Sequence, residues 1–344
     1  MNYDPVSQLK ELAEQASALN INLSDDITQD QMDRRPRGNY GVVYRGTRST
    51  TGTRVAIKVL HPGPSGGEET IKQVLHEMQR WSILEHENVL QLLGITTMYE
   101  QTLSLVTVWM EKGNAHDYVQ DQTVDPRPLV AGISRGLQYL HNCKPPIIHG
   151  DLKGSNVLIS GQGHPLLTDY GLSGLVTASF SVSVSASRSS ALNWMAPETM
   201  KSETYEVTVK GDVWAFGMTA LELFTREVPF SDKKGLLEVR NRVQEGPPDR
   251  PRNESTHSRM TDEWWNICSL CWKNQEHRPD ISAVISEIEQ IGRNPPVKDD
   301  ITKEAQKPPV KDDITGNEKT TMVEKDLLLR LRIMLIIPHA YRNW

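Results

Sequence analysis

The run His149-Gly150-Asp151-Leu152-Lys153-Gly154-Ser155-Asn156, followed thirteen positions after Asn156 by Asp169-Tyr170-Gly171, constrains this chain more than any other feature. Phosphoryl transfer needs one carboxylate to orient the attacking hydroxyl and further oxygen ligands for the divalent cations that bridge the phosphates. Asp151, Asn156 and Asp169 carry side chains suited to those parts. An Asp before a turn-forming Gly is, taken alone, more often an ordinary loop with a local side-chain hydrogen bond. What raises the odds is the company it keeps. Upstream lie Gly38-Asn39-Tyr40-Gly41-Val42-Val43-Tyr44, then Val55-Ala56-Ile57-Lys58, then Glu77 in a helical stretch; downstream lies Ala196-Pro197-Glu198.

In that order the motifs resemble those of the eukaryotic protein kinases, whose catalytic loop reads H-R-D-x-K-x-x-N and whose metal-binding triplet reads D-F-G. The departures are Gly150 and Tyr170. The resemblance covers residues 27–291 and implies an α+β, two-lobed fold, with a small β-rich lobe (27–108) carrying one main helix and a larger, mainly helical lobe (111–291). Local patterns agree with it. Strand-like 41–46 and 54–59 are separated by a turn at Thr51-Gly52. Ile71, Val74, Leu75, Met78 and Trp81 recur with helical period, placing Glu77 on one helix. Leu103 to Met110 reads as a strand entering a connector, and helical patterns follow from Leu129 to His141 and around 213–224, 264–272 and 281–291. The Ser-, Ala- and Val-rich block 173–190 shows no helical period and is expected to be mobile.

Outside that block, residues 1–26 hold a short amphipathic helix over 5–20, with Leu9, Leu12, Ala16 and Leu19 on one face, expected to dock on a regulatory partner. Residues 292–321 carry Pro-Pro-Val-Lys-Asp-Asp-Ile-Thr twice, at 295–302 and 308–315, a composition that favours an extended, disordered linker. The last segment, 322–344, is apolar and basic but too short to span a bilayer, which takes about 20 apolar residues. Contact with a membrane surface and docking on the protein's own surface both remain open for it. A net charge of -6 gives no reason to expect nucleic acid. Three cysteines make no disulfide framework, and no leader pattern opens the chain, so a cytoplasmic (or nuclear) location is expected. Cys268 and Cys271 lack the second ligand pair a structural zinc needs and are expected to pack inside a helix.

The family resemblance assigns roles residue by residue. Asp151 would orient the substrate hydroxyl, Lys153 would neutralise charge on the transferring group, and Asn156 with Asp169 would bind Mg²⁺ through hard oxygen ligands. Lys58 would contact the α- and β-phosphates of ATP and pair with Glu77, nineteen residues on. A Lys-Glu pair is usually a surface ion pair of little worth, but a lysine ending an apolar strand points into the domain and needs such a partner. Gly38 and Gly41 would let the backbone close over the phosphates. The family's first glycine falls here on Pro36, and polar Asp33-Arg34-Arg35 implies a weak first strand. Val43 and Ala56 would cover the adenine ring, Leu158 would lie beneath it, Thr107 would limit the back pocket, and backbone from Val108 to Met110 would meet adenine; Val43, Ala56 and Leu158 are equally ordinary strand-core residues.

Lys153 follows the serine/threonine-kinase pattern, whereas Trp194-Met195-Ala196-Pro197-Glu198 resembles the tyrosine-kinase and tyrosine-kinase-like groups. Together they imply a tyrosine-kinase-like enzyme that phosphorylates protein Ser/Thr hydroxyls. Gly150 replaces the arginine that grips a phosphorylated activation segment, so activity is expected not to depend strongly on phosphorylation there. Ala191 replaces a Ser/Thr that bridges the catalytic base and its lysine. The rival expectation, resting on Pro36, the polar first strand and Ala191, is a pseudokinase that binds ATP or a partner and transfers little.

Overall fold

The computed structural model describes residues 5–34, 41–61, 68–179, 191–201 and 206–293. The repeat linker, the C-terminal segment, Gly38 and most of the Ser-rich block lie outside the described residues. No described helix is long and apolar enough to cross a membrane.

The small lobe is built on an antiparallel sheet. Its strands are β1 (Ile27–Arg34), β2 (Gly41–Arg48), β3 (Arg54–Leu60), β4 (Leu92–Thr96) and β5 (Ser104–Val108), in the order β1-β2-β3-β5-β4. Strand β3 shows why: Val55, Ile57 and Val59 alternate into the core, fully buried, while Ala56 and Lys58 take the opposite face. The polar first strand does form, but its register with β2 slips between Gln29 and Arg34. Helix α2 (Glu68–Ser82) covers the sheet with Ile71, Val74, Leu75 and Met78, buried at helical spacing.

Helix α1 (Pro5–Ala18) is not an appendage. It packs on α2 and buries Leu12 and Ala16 in the common core, and Asn22 Nδ2 ties its C-terminal half by donating to Ala13 O at 3.1 Å and Ser17 Oγ at 2.9 Å. The chain then runs beside β4, where Leu23 N donates to Ile95 O and Ile95 N to Ile21 O, each at 2.8 Å. The apolar face expected to await a partner is therefore occupied by the chain's own lobe.

The second lobe centres on a buried helix. It comprises α3 (Ala115–Tyr118), α4 (Arg127–Asn142), the hairpin β6 (Val157–Ile159) and β7 (Pro165–Leu167), α5 (Leu172–Ser179), α6 (Pro197–Lys201), α7 (Val209–Thr225), α8 (Leu236–Glu245), α9 (Asp262–Cys271) and α10 (Ile281–Arg293). Every residue of α7 from Asp212 to Phe224 is buried, as expected of a helix with no solvent face. Cys268 and Cys271 are fully buried on α9 and unlinked. Helix α5 corrects the expectation of a mobile segment over its part of 173–190. Leu172 and Leu175 are buried three residues apart, and packing on α2 supplies the stability that the Ser/Thr-rich local sequence lacks.

If α1 belongs to the core, Leu12→Ala lowers unfolding free energy by about 2–5 kcal/mol, read from urea midpoints. An unchanged midpoint would show that α1 is dispensable to the fold.

Candidate active site

The catalytic-loop candidates are held from below by α7. The Asp212 carboxylate accepts from His149 N at 2.7 Å and Gly150 N at 2.9 Å, and lies 2.8 Å from His141 Nε2. Ten residues on, about 15 Å along the axis, buried Glu222 takes the other end of the loop. Its Oε2 accepts from Gly154 N at 2.8 Å and from Trp194 Nε1 at 2.7 Å, while Oε1 meets His116 Nδ1 at 2.8 Å. Neither carboxylate reaches solvent, so these donors take the place of water. Downstream, Arg278 Nη2 reaches the second oxygen of Glu198 at 3.2 Å and Arg278 Nη1 donates to Lys210 O at 2.7 Å, fixing the segment that carries Ala196-Pro197-Glu198.

Between these anchors three predicted residues meet. Lys153 Nζ donates to both Asp151 oxygens, at 2.9 and 3.0 Å, and Asn156 Nδ2 donates to Asp151 Oδ2 at 3.0 Å and Asp151 O at 2.7 Å. Both bonds use the Asn156 amide nitrogen, not its Oδ1. Asp169 stands across the cleft in left-handed backbone, φ 63°. A cavity of about 350 Å³ joins the set: Val43, Ala56, Lys58, Thr107, Met110, Lys153, Asn156, Leu158 and Asp169 all line it.

Two predicted residues are elsewhere. Gly41 starts β2, and a Cβ there would fall 1.6 Å from Val59 O, so its glycine is required by strand packing. Glu77 does not pair with Lys58. Lys58 Nζ is bonded to Asp169 instead, and Glu77 holds Arg80 one turn along α2, both carboxylate oxygens 3.0 Å from Nη1. Arg80 Nη2 in turn donates to Pro145 O at 2.8 Å. The cause is positional. Helix α5 packs on α2, and Glu77 and Arg80 open onto a second cavity, about 680 Å³, bounded by α2, α5 and residues 146–148. Trp81 borders both cavities.

Gly150 explains how α5 fits. Its φ is +76°, and a Cβ there would stand 2.1 Å from Ser173 Oγ, so a side chain at this position collides with the first turn of α5. Tyr170, at the second place of the metal triplet, is buried with its hydroxyl donating to Leu90 O at 2.9 Å and its ring set edge-on to Trp81. Burial pushes its phenol well above the ordinary range.

Sequence reasoning missed Arg80, His116 and Glu222, and read Trp81 only as part of the apolar face of α2. The three-residue step from Glu77 to Arg80 and the four-residue step to Trp81 were readable signals; the meeting of His116 with Glu222, 106 positions apart, had none.

A family model described as protein tyrosine and serine/threonine kinase matches residues 32–288. The chain belongs to that family. It is similar to the serine/threonine-protein kinase PBL27 of Arabidopsis thaliana, 37% identical over 198 residues, or 55% of this chain and 37% of that one. Serine/threonine-protein kinase PBS1 of the same plant is 35% identical over 198 residues, 55% of this chain and 42% of its own. Mitogen-activated protein kinase kinase kinase 5, also from Arabidopsis thaliana, is 29% identical over 262 residues, 72% of this chain and 35% of its own. The chain thus spans between a third and a half of the length of these relatives. The architecture is that of the kinase fold, a curled β-sheet lobe over a helical one.

Two histidines of this kinase fold give stability a readable pH dependence. The hydrogen bond to Glu222 raises the His116 pKa above 6.5, so its contribution is complete below about pH 6.5 and fades as pH climbs through the folded-state value. His149 runs the other way: burial lowers its pKa, so its contribution is complete above 6.5 and fades on acidification. Melting temperatures of His116→Gln should therefore fall less than the parent's as pH rises above about 6.5 and match the parent's slope in acid. Parallel curves across the alkaline window would remove His116 from this role.

Proposed function

We propose that the chain is an ATP-dependent protein kinase of the tyrosine-kinase-like group, which transfers the γ-phosphoryl group to Ser/Thr hydroxyls of protein substrates. The observation that carries this reading is the convergence of Lys58, Lys153, Asn156 and Asp169 on one cavity, with Asp151 fixed beside them. The relatives PBL27 and PBS1 are named serine/threonine-protein kinases, which supports the choice of hydroxyl. Lys153 two positions after Asp151 supports it too.

In this reading the hydroxyl of the substrate hydrogen-bonds to the Asp151 carboxylate, its oxygen attacks the γ-phosphorus, and the bond to the β,γ-bridging oxygen breaks, releasing ADP. The hydroxyl proton passes to an Asp151 oxygen. Lys153 offsets charge on the transferring group. Val43, Ala56, Thr107, Met110 and Leu158 give the cavity apolar walls and a short polar edge suited to adenine. Asn156 Oδ1 and the Asp169 carboxylate are hard oxygen donors that would hold Mg²⁺, a cation that takes phosphate oxygens and water as its other ligands and so needs no protein cage. When bound, Mg²⁺ neutralises charge on the β- and γ-phosphates.

The ion pairs suggest control by exchange of partners. Lys58 is held by Asp169 and Glu77 by Arg80, and a competent site needs Lys58 on the phosphates and Asp169 on the metal. Release of α5 from α2 would free both. Gly150 lacks the guanidinium that orders a phosphorylated segment and leaves room for α5, which favours control by lobe closure or partners over phosphorylation of 181–187. The three unlinked cysteines favour a reducing compartment, the cytoplasm or nucleus.

Incubation with labelled ATP, Mg²⁺ and a generic protein substrate tests the proposal. The parent should transfer label, and Asp151→Asn should lose about 10²- to 10⁴-fold while still binding ATP. Equal inertness of parent and variant, with ATP still bound, would establish the pseudokinase reading.

A further inference from the structure

Next to Asp151 a cation is buried with less oxygen around it, among the described residues, than its chemistry calls for. The Lys153 side chain is 5% exposed, and an ammonium has three donors. Two are satisfied by the Asp151 carboxylate at 2.9 and 3.0 Å. The hydroxyl that the kinase resemblance would place at position 191 is missing, because that residue is Ala191. What stands over the ammonium instead is the indole of Trp194, its ring centroid 5.9 Å from Nζ, inside the range of cation–π attraction.

Trp194 is not a ring that happens to lie nearby. It closes the short turn Leu192–Trp194, is 7% exposed, and its Nε1 donates to Glu222 Oε2 at 2.7 Å. The same oxygen accepts from Gly154 N, the peptide next to Lys153, at 2.8 Å. Trp194, Glu222, Gly154 and Lys153 thus form a closed ring of contacts around the catalytic loop. Donation from an indole N–H to a carboxylate also leaves the ring richer in electron density, which strengthens its hold on a cation.

We infer that Trp194 is a positioning residue for phosphoryl transfer, whose indole face keeps the Lys153 ammonium on the Asp151 carboxylate in the place of the absent hydroxyl at 191. The inference rests on the kinase reading above. It predicts a loss in turnover without a loss in nucleotide binding, since Trp194 does not line the cavity assigned to ATP. A merely structural tryptophan would instead change stability and affinity together.

The full chain and the variants Trp194→Leu, Trp194→Phe and Trp194→Leu/Ala191→Thr separate these outcomes. Turnover and KM for ATP are measured with Mg²⁺ and a generic Ser-containing protein, melting temperature is recorded for each, and the reactivity of Lys153 toward an amine-acylating reagent is mapped by mass spectrometry. Trp194→Leu should lower kcat by about tenfold at unchanged KM for ATP and raise Lys153 acylation, with Trp194→Phe falling between it and the parent. Adding Ala191→Thr should recover most of the loss and protect Lys153 again. An active parent whose Trp194→Leu variant keeps full kcat and slow acylation overturns the positioning role alone, as does a loss that tracks melting temperature and is not recovered by Ala191→Thr. A parent that transfers no phosphate overturns the kinase reading, and the positioning role with it.

Discussion

Asp212 and Glu222 sit on one helix with no solvent face, and the peptide between His149 and Gly154 is strung from one to the other. Neither carboxylate can be solvated there, so each must be met by donors, and beside His141, His116 and Trp194 those donors include backbone N–H groups of the loop that carries Asp151 and Lys153. Hydrogen bonds to a buried charge are each worth about 1.5–3 kcal/mol. Removing one partner leaves the other unpaired at a cost of about 3–5 kcal/mol. That asymmetry makes the loop's path hard to change, and Asp151, Lys153 and Asn156 are arranged along it.

The small lobe is held less tightly to its chemistry. Its core is secure, with β4, β5, α2 and α1 sharing one set of buried apolar residues and Val55 and Ile57 of β3 packing with Ile27 and Val106 in another, but its two charged groups are not paired with each other. Lys58 reaches across to Asp169, and Glu77 is kept by Arg80 on the far side of Trp81. Helix α5 is seated against Gly150 and packed on α2. The loop that carries Asp151 is thus anchored at both ends by buried carboxylates, while the Lys58 and Glu77 ion pairs lie beside the contact between α5 and α2.

Much of this was legible from residue order. The catalytic loop, the alternation of β3 and the apolar stripe of α2 announce themselves, because each is a local pattern with a fixed period or spacing. Helix α5 was not legible: Ser173, Thr177 and Ser179 argue against a helix, and only Leu172 and Leu175 meeting α2 make one. The partner of Lys58 depends on how α2 is set relative to the sheet, which no motif encodes. Gly41 looked like a phosphate-binding glycine, and its close approach to Val59 O gives it a packing reason that sequence cannot reveal. Docking of 21–23 beside β4 and the union of His116, Trp194 and Glu222 are contacts between distant positions, where no periodicity reaches.

The central claim is that buried carboxylates on α7 hold the catalytic loop in its working form. Asp212→Asn keeps the shape of that side chain and removes its charge. Single-turnover transfer from pre-bound ATP on folded Asp212→Asn protein should fall by about tenfold or more, with ATP affinity within about twofold of the parent. Parent-like transfer would contradict the account, since the loop would then need no buried charge beneath it.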